Sequence, residues 1–289
     1  MTNPPQFAVM ITGAVIAAVF ASMLLLERAR PLRQTVEGKL RRVLRNLGTG
    51  GMALALVTLV QTALVVPAAR VIAARQLGLL HLVEIPTVLH VATAVLLLDY
   101  TLWIWHRANH RLAVLWRFHL VHHVDRDLDS STALRFHFGE LILGTGYRLL
   151  QILVIGASPL AVWIWQLILF ASILFHHANV ELPLGWERRL VRVIVTPRMH
   201  GIHHSDQLSE TDSNWSSLLS WWDYLHGTIL LSVPQRDIVI GVPAYEESDD
   251  VTIGRILIMP FRPQRRDWHR SDGNLQTRAH PGPPRALEP

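Results

Sequence analysis

The stretch His106-Arg-Ala-Asn-His110-Arg-Leu-Ala-Val-Leu-Trp-Arg-Phe-His119-Leu-Val-His122-His123 decides how this sequence folds. It follows a long apolar run and holds five histidines in eighteen positions. On a helix, residues three and four positions apart share a face, so these histidines predict imidazole clusters suited to a metal. A similar triplet, His200-Gly-Ile-His203-His204, returns far downstream. We therefore expect two distant parts of the chain to close on one centre.

The composition indicates a membrane protein. Half of the 289 residues are hydrophobic, and the mean hydropathy is +0.27. The net charge of +5 would suggest nucleic acid as a partner for a soluble protein. Here the basic residues flank apolar runs, where they set orientation in a bilayer, so no nucleic-acid partner is expected. Because the chain has no cysteine, any metal must be held by nitrogen and oxygen.

Three apolar runs before His106 predict membrane spans of an all-α protein. They cover 7–26, 51–69 and about 85–105, and each approaches the 20 residues needed to cross a bilayer. A cleaved signal peptide is the competing interpretation of the first run. The sequence Glu27-Arg-Ala-Arg30-Pro31 that follows is unlike a small-residue cleavage site, so we expect the first helix to be retained.

The apolar stretch 141–175 predicts a helical hairpin that dips into the membrane. A single span would leave His176 and His177 on the side opposite the other histidines. Gly156-Ala-Ser-Pro159 breaks the stretch, because glycine and proline end helices and favour turns. Two legs, 141–155 and 160–175, then return His177 to the side of the other clusters.

Charge predicts the orientation and composition predicts the ends of the domains. Seven basic residues lie between the first two spans, which places that loop and the histidine-rich cap in the cytoplasm by the positive-inside rule. The expected division is 1–105 for the membrane spans, 106–261 for the catalytic domain, and 262–289 for a disordered basic tail. The amphipathic segment 182–195 fits either a helix on the membrane surface or one packed on the cap.

Ten histidines are predicted to lie together on one face of the membrane: His106, His110, His119, His122, His123, His137, His177, His200, His203 and His204. His176 is an uncertain eleventh. One ion takes four to six protein ligands, so this number fits two ions. Imidazole alone does not choose among zinc, iron, copper and nickel. A metalloprotease is disfavoured because no His-Glu-x-x-His run is present, and a bis-histidine haem would need facing pairs within the bundle.

The order of the histidine motifs resembles the fatty acid hydroxylase superfamily, which includes the sterol desaturases. The resemblance covers about 27–228. It rests on five runs: Leu115-Trp-Arg-Phe-His-Leu-Val-His-His123, Thr132-Ala-Leu-Arg-Phe-His137, Phe175-His-His-Ala-Asn179, Thr196-Pro-Arg-Met-His-Gly-Ile-His-His204 and Glu210-Thr-Asp-Ser-Asn214. Two departures stand out: Phe138 replaces the usual proline, and Asn214-Trp215-Ser216 replaces Asn-Tyr-Gly.

The resemblance implies an integral membrane oxygenase with two iron ions in which the ten histidines take the ligand positions. Such an enzyme hydroxylates or desaturates an aliphatic lipid or sterol, using O₂ and electrons from a separate donor protein. Zinc could replace iron in purified protein. Among nearby polar residues, Asn179 and Asn214 are the preferred partners for the ligands' second ring nitrogens. The alternative function is a membrane metal transporter or metal-binding protein that uses the same clusters.

Overall fold

The structure is a computed structural model that describes residues 6–270, 272–278 and 287. All regular structure in these residues is helical, apart from isolated β-bridges. The α-helices are α1 (Gln6–Ala29), α2 (Lys39–Val60), α3 (Val66–Ala74), α4 (Thr87–Arg111), α5 (Ala113–His123), α6 (Phe138–Ile155), α7 (Pro159–His177), α8 (Leu184–Leu190), α9 (Pro197–His203), α10 (Leu208–Thr211), α11 (Trp221–His226) and α12 (Ile253–Ile258). The predicted all-α class is confirmed.

Four of the described helices are long and apolar enough to cross a membrane: Met10–Ala29, Thr87–Arg111, Phe138–Ile155 and Pro159–His177. The chain is therefore a multi-pass integral membrane protein. The predicted second span, 51–69, lies across α2 and α3 and is not among these four. Its helix begins with basic residues, and its α-geometry is interrupted by a π-helical turn at Gln61–Val65.

The hairpin between α6 and α7 forms at the predicted break. Gly156 adopts the left-handed conformation with φ of 76°, which favours glycine. The side chain of Ser158 then accepts the Ala161 N–H at 3.2 Å, and Pro159 is the first residue of α7. At 18 and 19 residues, both legs are longer than expected. The end of α7 thus returns to the end of the bundle where α6 begins.

The segment that follows α5 is held against the start of α2 by a buried ionic network. Arg42 is fully buried and donates to Asp125 at 3.0 Å, to the Asp127 carbonyl at 3.0 Å and to Asp129. Burial alone would raise the pKa of Asp125, but the guanidinium groups of Arg42 and its neighbours outweigh it and lower that pKa to about 2. The network fixes the chain between the histidines of α5 and the start of α6.

We define the cap as residues 113–137 together with the described residues of 184–278. One face of the segment 182–195 packs on the rest of this cap. Glu187 of α8 is fully buried and forms an ion pair with Arg198 at 2.9 Å, whereas Trp186 is 64% exposed. The polar face of this segment therefore packs on the cap, which is one of the two interpretations of its amphipathic sequence.

The described part of the predicted basic tail contacts other parts of the chain. Asp267 accepts a hydrogen bond from Trp116 Nε1 at 2.7 Å, and its carbonyl accepts the Ala244 N–H. Arg265 forms a two-pronged ion pair with Asp250. Composition favoured disorder because apolar residues are few, but these contacts depend on partners elsewhere in the chain.

Candidate metal centre

The histidines reach the centre from four helices. His106 and His110 lie one turn apart at the end of α4, and His119, His122 and His123 lie at the end of α5. The two helices are separated only by Leu112, whose extended backbone (φ −101°, ψ 113°) redirects the chain. The remaining histidines are His177 at the end of α7 and His200, His203 and His204 on α9 and its C-cap. Helix periodicity thus turns each set toward the same space.

Nine of the predicted ligands form two adjacent groups in the described part of the chain. The five-histidine group contains His106, His110, His119, His123 and His203, and the four-histidine group contains His122, His177, His200 and His204. Within each group the candidate ligand nitrogens lie within 4.8 Å of one another. The groups touch where the rings of His123 and His204 stack with their centroids 4.3 Å apart. This arrangement could hold two metal ions side by side.

The ring nitrogens of the four-histidine group fit a metal better than a hydrogen-bond network. Nδ1 of His177 lies 2.8 Å from the Ile173 carbonyl, and Nδ1 of His122 lies 3.3 Å from the Arg135 carbonyl, so each Nδ1 must carry the donated proton. The two Nε2 atoms nevertheless lie 3.1 Å apart, with no proton between them. Nitrogens bound at right angles to one ion at about 2.1 Å would lie about 3.0 Å apart. A cation satisfies these facing lone pairs.

In the five-histidine group, too, Nδ1 is the ring nitrogen that faces hydrogen-bond acceptors. The second ring nitrogen, Nδ1, contacts an acceptor at 2.7–2.8 Å in three cases: the Trp215 carbonyl for His106, the Glu140 carboxylate for His119 and the Ser213 carbonyl for His203. The Nε2 atoms of His110, His119, His123 and His203 are buried without a hydrogen-bond partner. In His119 and His203 the proton is therefore on Nδ1, and Nε2 keeps a free lone pair, which is the state a metal ligand requires.

Burial keeps at least five of the grouped imidazoles neutral. For His203, desolvation outweighs the hydrogen bond to the Ser213 carbonyl and lowers the pKa to about 3. Burial, followed by the charges of neighbouring imidazoles, lowers the pKa of His122, His123, His200 and His204 well below the usual value. At neutral pH these five rings are therefore neutral and available as ligands. Among the nine, only His110 is not classed as buried.

His137, a predicted ligand, lies outside both groups. Its Nδ1 accepts the Gly139 N–H at 2.9 Å and so caps the start of α6, while Nε2 lies 3.1 Å from the Leu257 carbonyl. Both ring nitrogens are engaged, so the structure brings together nine of the ten predicted ligands and not this one. His137 is instead the N-cap residue of α6. The missing proline at position 138 coincides with this departure.

His176 lies beside the four-histidine group without belonging to it. Its ring centroid is 4.1 Å from that of His200, and its Nδ1 is buried without a hydrogen-bond partner. The residue is well placed to shield His200, and its assignment as an additional ligand has no support in the grouping of nitrogens.

The two preferred asparagines do not hydrogen-bond to the histidines. Asn179 exchanges hydrogen bonds with the backbone of Arg33, which ties the end of α7 to the segment after α1. Asn214, in a left-handed conformation, joins the carbonyl of Met199 to the backbone of Leu230. Both support elements that carry histidines. The direct partners are instead four backbone carbonyls, of Arg135, Ile173, Ser213 and Trp215, and the carboxylate of Glu140.

Comparison with known proteins identifies the same region of the chain. The sequence model for Fatty acid hydroxylase matches residues 91–228, which contain all nine grouped histidines. The chain is 32% identical over 144 residues to ornithine lipid hydroxylase OlsE of Rhizobium tropici, a match that spans 50% of this chain and 42% of the relative. No solved structure matches the chain.

Two vertebrate proteins match a similar number of residues. Alkylglycerol monooxygenase of Xenopus tropicalis is 28% identical over 49% of this chain and 30% of its own length. Cholesterol 25-hydroxylase of Mus musculus is 26% identical over 48% of this chain and 46% of its own length. This chain thus spans less than half the length of these curated relatives. Residues 91–228, which carry both histidine groups, thus match the fatty acid hydroxylase family.

Proposed function

We propose that the protein is a membrane-bound oxygenase with two iron ions that hydroxylates an aliphatic lipid or sterol. The observation that carries the proposal is the pair of buried histidine groups with unshared nitrogen lone pairs turned inward. Iron, when bound, would supply activation of O₂ for attack on an unactivated C–H bond. The nine grouped histidines would hold the two ions. Because imidazole does not select iron over zinc, zinc could occupy purified protein.

The residues around the groups support the roles that such a reaction needs. Glu140 would hold the proton on His119 Nδ1 and fix that ring. The enclosure of eight of the nine histidines would exclude water from the reacting centre. The apolar helices α4 and α7 end at the centre and α6 begins there, so an alkyl chain in the bilayer could approach without entering water. Trp116, 5.1 Å from the ring of His110, would line the accessible side.

The relatives favour hydroxylation over desaturation, the two outcomes that the motifs leave open. All three are named as hydroxylases or monooxygenases, and their named substrates are an ornithine lipid, an alkylglycerol and cholesterol. The shared feature is a membrane lipid with an aliphatic portion. We therefore assign a lipid C–H bond as the target and an external protein as the electron donor.

Lipidomics with matched variants tests this function. Cells that express the protein should accumulate a lipid that is heavier by one oxygen atom, and cells that express His122→Ala should not. Growth under ¹⁸O₂ should label the new oxygen. A product that has lost two hydrogens would replace hydroxylation by desaturation. If no lipid changes while cellular zinc or iron does, the transporter hypothesis takes precedence.

The sidedness of the cap is also a proposal. The basic loop after α1 packs on the histidine side through Arg42 and Asp125, so the positive-inside rule places both in the cytoplasm. Because the chain has no cysteine, single cysteines report cleanly. In spheroplasts, an impermeant maleimide should label Glu84→Cys, between α3 and α4, and should reach Ser209→Cys on the cap only after lysis. The reverse pattern would invert the orientation.

A further inference from the structure

The segment after α12 brings a group of arginines to the surface beside the metal centre. The segment from Arg262 to Arg270 contains four arginines and one acidic residue, Asp267. Arg265 is paired with Asp250. Arg262 and Arg266 are exposed, and neither forms a salt bridge within the described part of the chain. Helix α5 adds Arg117, whose guanidinium donates to the carbonyls of Pro260 and Arg262. We call Arg117, Arg262, Arg266 and Arg270 the basic patch.

Two stacked tryptophans connect this patch to the five-histidine group. Trp268, partly exposed in the middle of the patch, stacks on Trp116 with ring centroids 6.0 Å apart and planes 29° apart. Trp116 in turn lies 5.1 Å from the ring of His110 and 5.4 Å from that of His123. The Asp267 carboxylate fixes Trp116 through its indole N–H at 2.7 Å.

We propose that the basic patch docks an acidic electron-transfer protein and that electrons enter through Trp268 and Trp116. This inference rests on the proposed oxygenase function. Insertion of one atom of O₂ into a C–H bond takes up two electrons and two protons, forms the C–OH group and releases water. The histidine groups are enclosed, so electrons from a separate protein must cross the cap, and tunnelling weakens steeply with distance.

The patch fits the occupant by charge and position. Small electron carriers with acidic surfaces associate with basic surfaces through long-range attraction, and such encounters are fast and sensitive to salt. The exposed residues Arg266 and Arg270 lie two positions on either side of Trp268 in the chain, so a carrier held by them would dock near its ring. A patch that bound only anionic lipid would not need to be connected through Trp268 and Trp116 to the grouped histidines.

Direct binding is the first test, and it needs no metal in the protein. The probe is a plant-type [2Fe–2S] ferredoxin, titrated against the detergent-solubilised full chain at low and high salt. Arg262→Glu/Arg266→Glu should weaken binding at least tenfold at low salt. Arg236→Glu, a reversal at an 81% exposed side chain on the turn that packs on α9, is the matched control and should bind normally. Equal effects of both variants would overturn the assignment.

Anaerobic electron transfer is the second test and separates the path from the surface. Reduced ferredoxin is mixed with iron-loaded protein, and its reoxidation is followed by absorbance. Trp268→Ala should slow this reaction several-fold without changing ferredoxin binding, and Trp268→Phe should restore most of the rate. Dithionite, which needs no docking, should reduce every variant at the normal rate.

The outcomes distinguish this proposal from the proposed function. If dithionite reduces the protein and ferredoxin reoxidation is indifferent to all of these changes, the entry path is wrong while the oxygenase stands. If charge reversal instead abolishes binding to phosphatidylglycerol vesicles and leaves ferredoxin binding intact, the patch is a lipid contact. Protein that binds no iron and accepts no electrons from dithionite would refute the oxygenase itself.

Discussion

The five-histidine and four-histidine groups use the same residue type but differ in enclosure and in what orients their rings. Every member of the four-histidine group is buried, and its known ring partners are backbone carbonyls. The five-histidine group is oriented partly by a carboxylate, that of Glu140, and His110 is not fully enclosed. The difference indicates that the four-histidine group is the more enclosed of the two and that the five-histidine group is the more accessible.

The adjacent residues His203 and His204 offer the sharpest test of two separate sites, because each belongs to a different group. His203→Ala and His204→Ala should each abolish product formation and lower the metal content from two ions per chain to about one. Elemental analysis of protein from iron-supplemented cells measures this. Loss of both ions from either variant would mean that the groups form a single cooperative site.

Removal of Arg42 should destabilise the four-histidine group in particular. Arg42→Gln leaves Asp125 and Asp129 buried without their main counter-charge, which typically costs about 3–5 kcal/mol. These acids hold the segment whose Arg135 carbonyl orients His122. Thermal unfolding in detergent should show the loss. Arg41→Gln, at the neighbouring exposed arginine, should unfold like the parent, and equal losses would contradict the role of the network.

Glu140→Gln should weaken only the five-histidine group. Loss of the negative charge behind His119 makes that ring a poorer ligand, and such partners are typically worth about 10–100-fold in metal affinity. Stepwise chelation should therefore remove one ion earlier than in the parent and the other at the parental concentration. Glu181→Gln, at a largely exposed glutamate, is the control. An unchanged first step would show that the carboxylate does not tune the site.

The smallest effect is expected at His137, which belongs to neither group. His137→Ala should retain two metal ions and lose about 1 kcal/mol of stability, the usual cost of removing a helix N-cap. His137→Asn should recover most of that loss, because asparagine caps helices well. If His137→Ala instead lost an ion, His137 would return to the ligand set.

The sequence predicted the fold to the extent that local chemistry determined it. The break at Gly156 to Pro159 was readable because left-handed glycine, a serine cap and proline act within a few residues. Nine grouped histidines were readable because helix periodicity fixes which of them share a face. The role of His137 was not, since a histidine spaced like a ligand can equally cap its own helix.

The partners of the ligands were harder to predict for a different reason. Most are backbone carbonyls, such as those of Trp215 and Ser213, which every residue type provides and which leave no trace in a sequence. Asn179 and Asn214 were favoured as polar neighbours, but their amides instead bind backbone some distance from the rings. Trp268 packs on Trp116, which lies 152 positions earlier in the sequence. The local composition of the segment after residue 262 favoured disorder because it contains no sign of this distant partner.

The unbroken course of α4 into its histidines couples the metal centre mechanically to the lipid. His106 and His110 belong to a helix of 25 residues that also spans the membrane. Such a helix is about 37 Å long, so a change of about 5° in its tilt moves the histidine end by about 3 Å. His119 and His123 are carried by the separate helix α5, so a tilt of α4 alone would change their distances from His106 and His110. Bilayer thickness would then be a physical variable that acts on the spacing of the histidines.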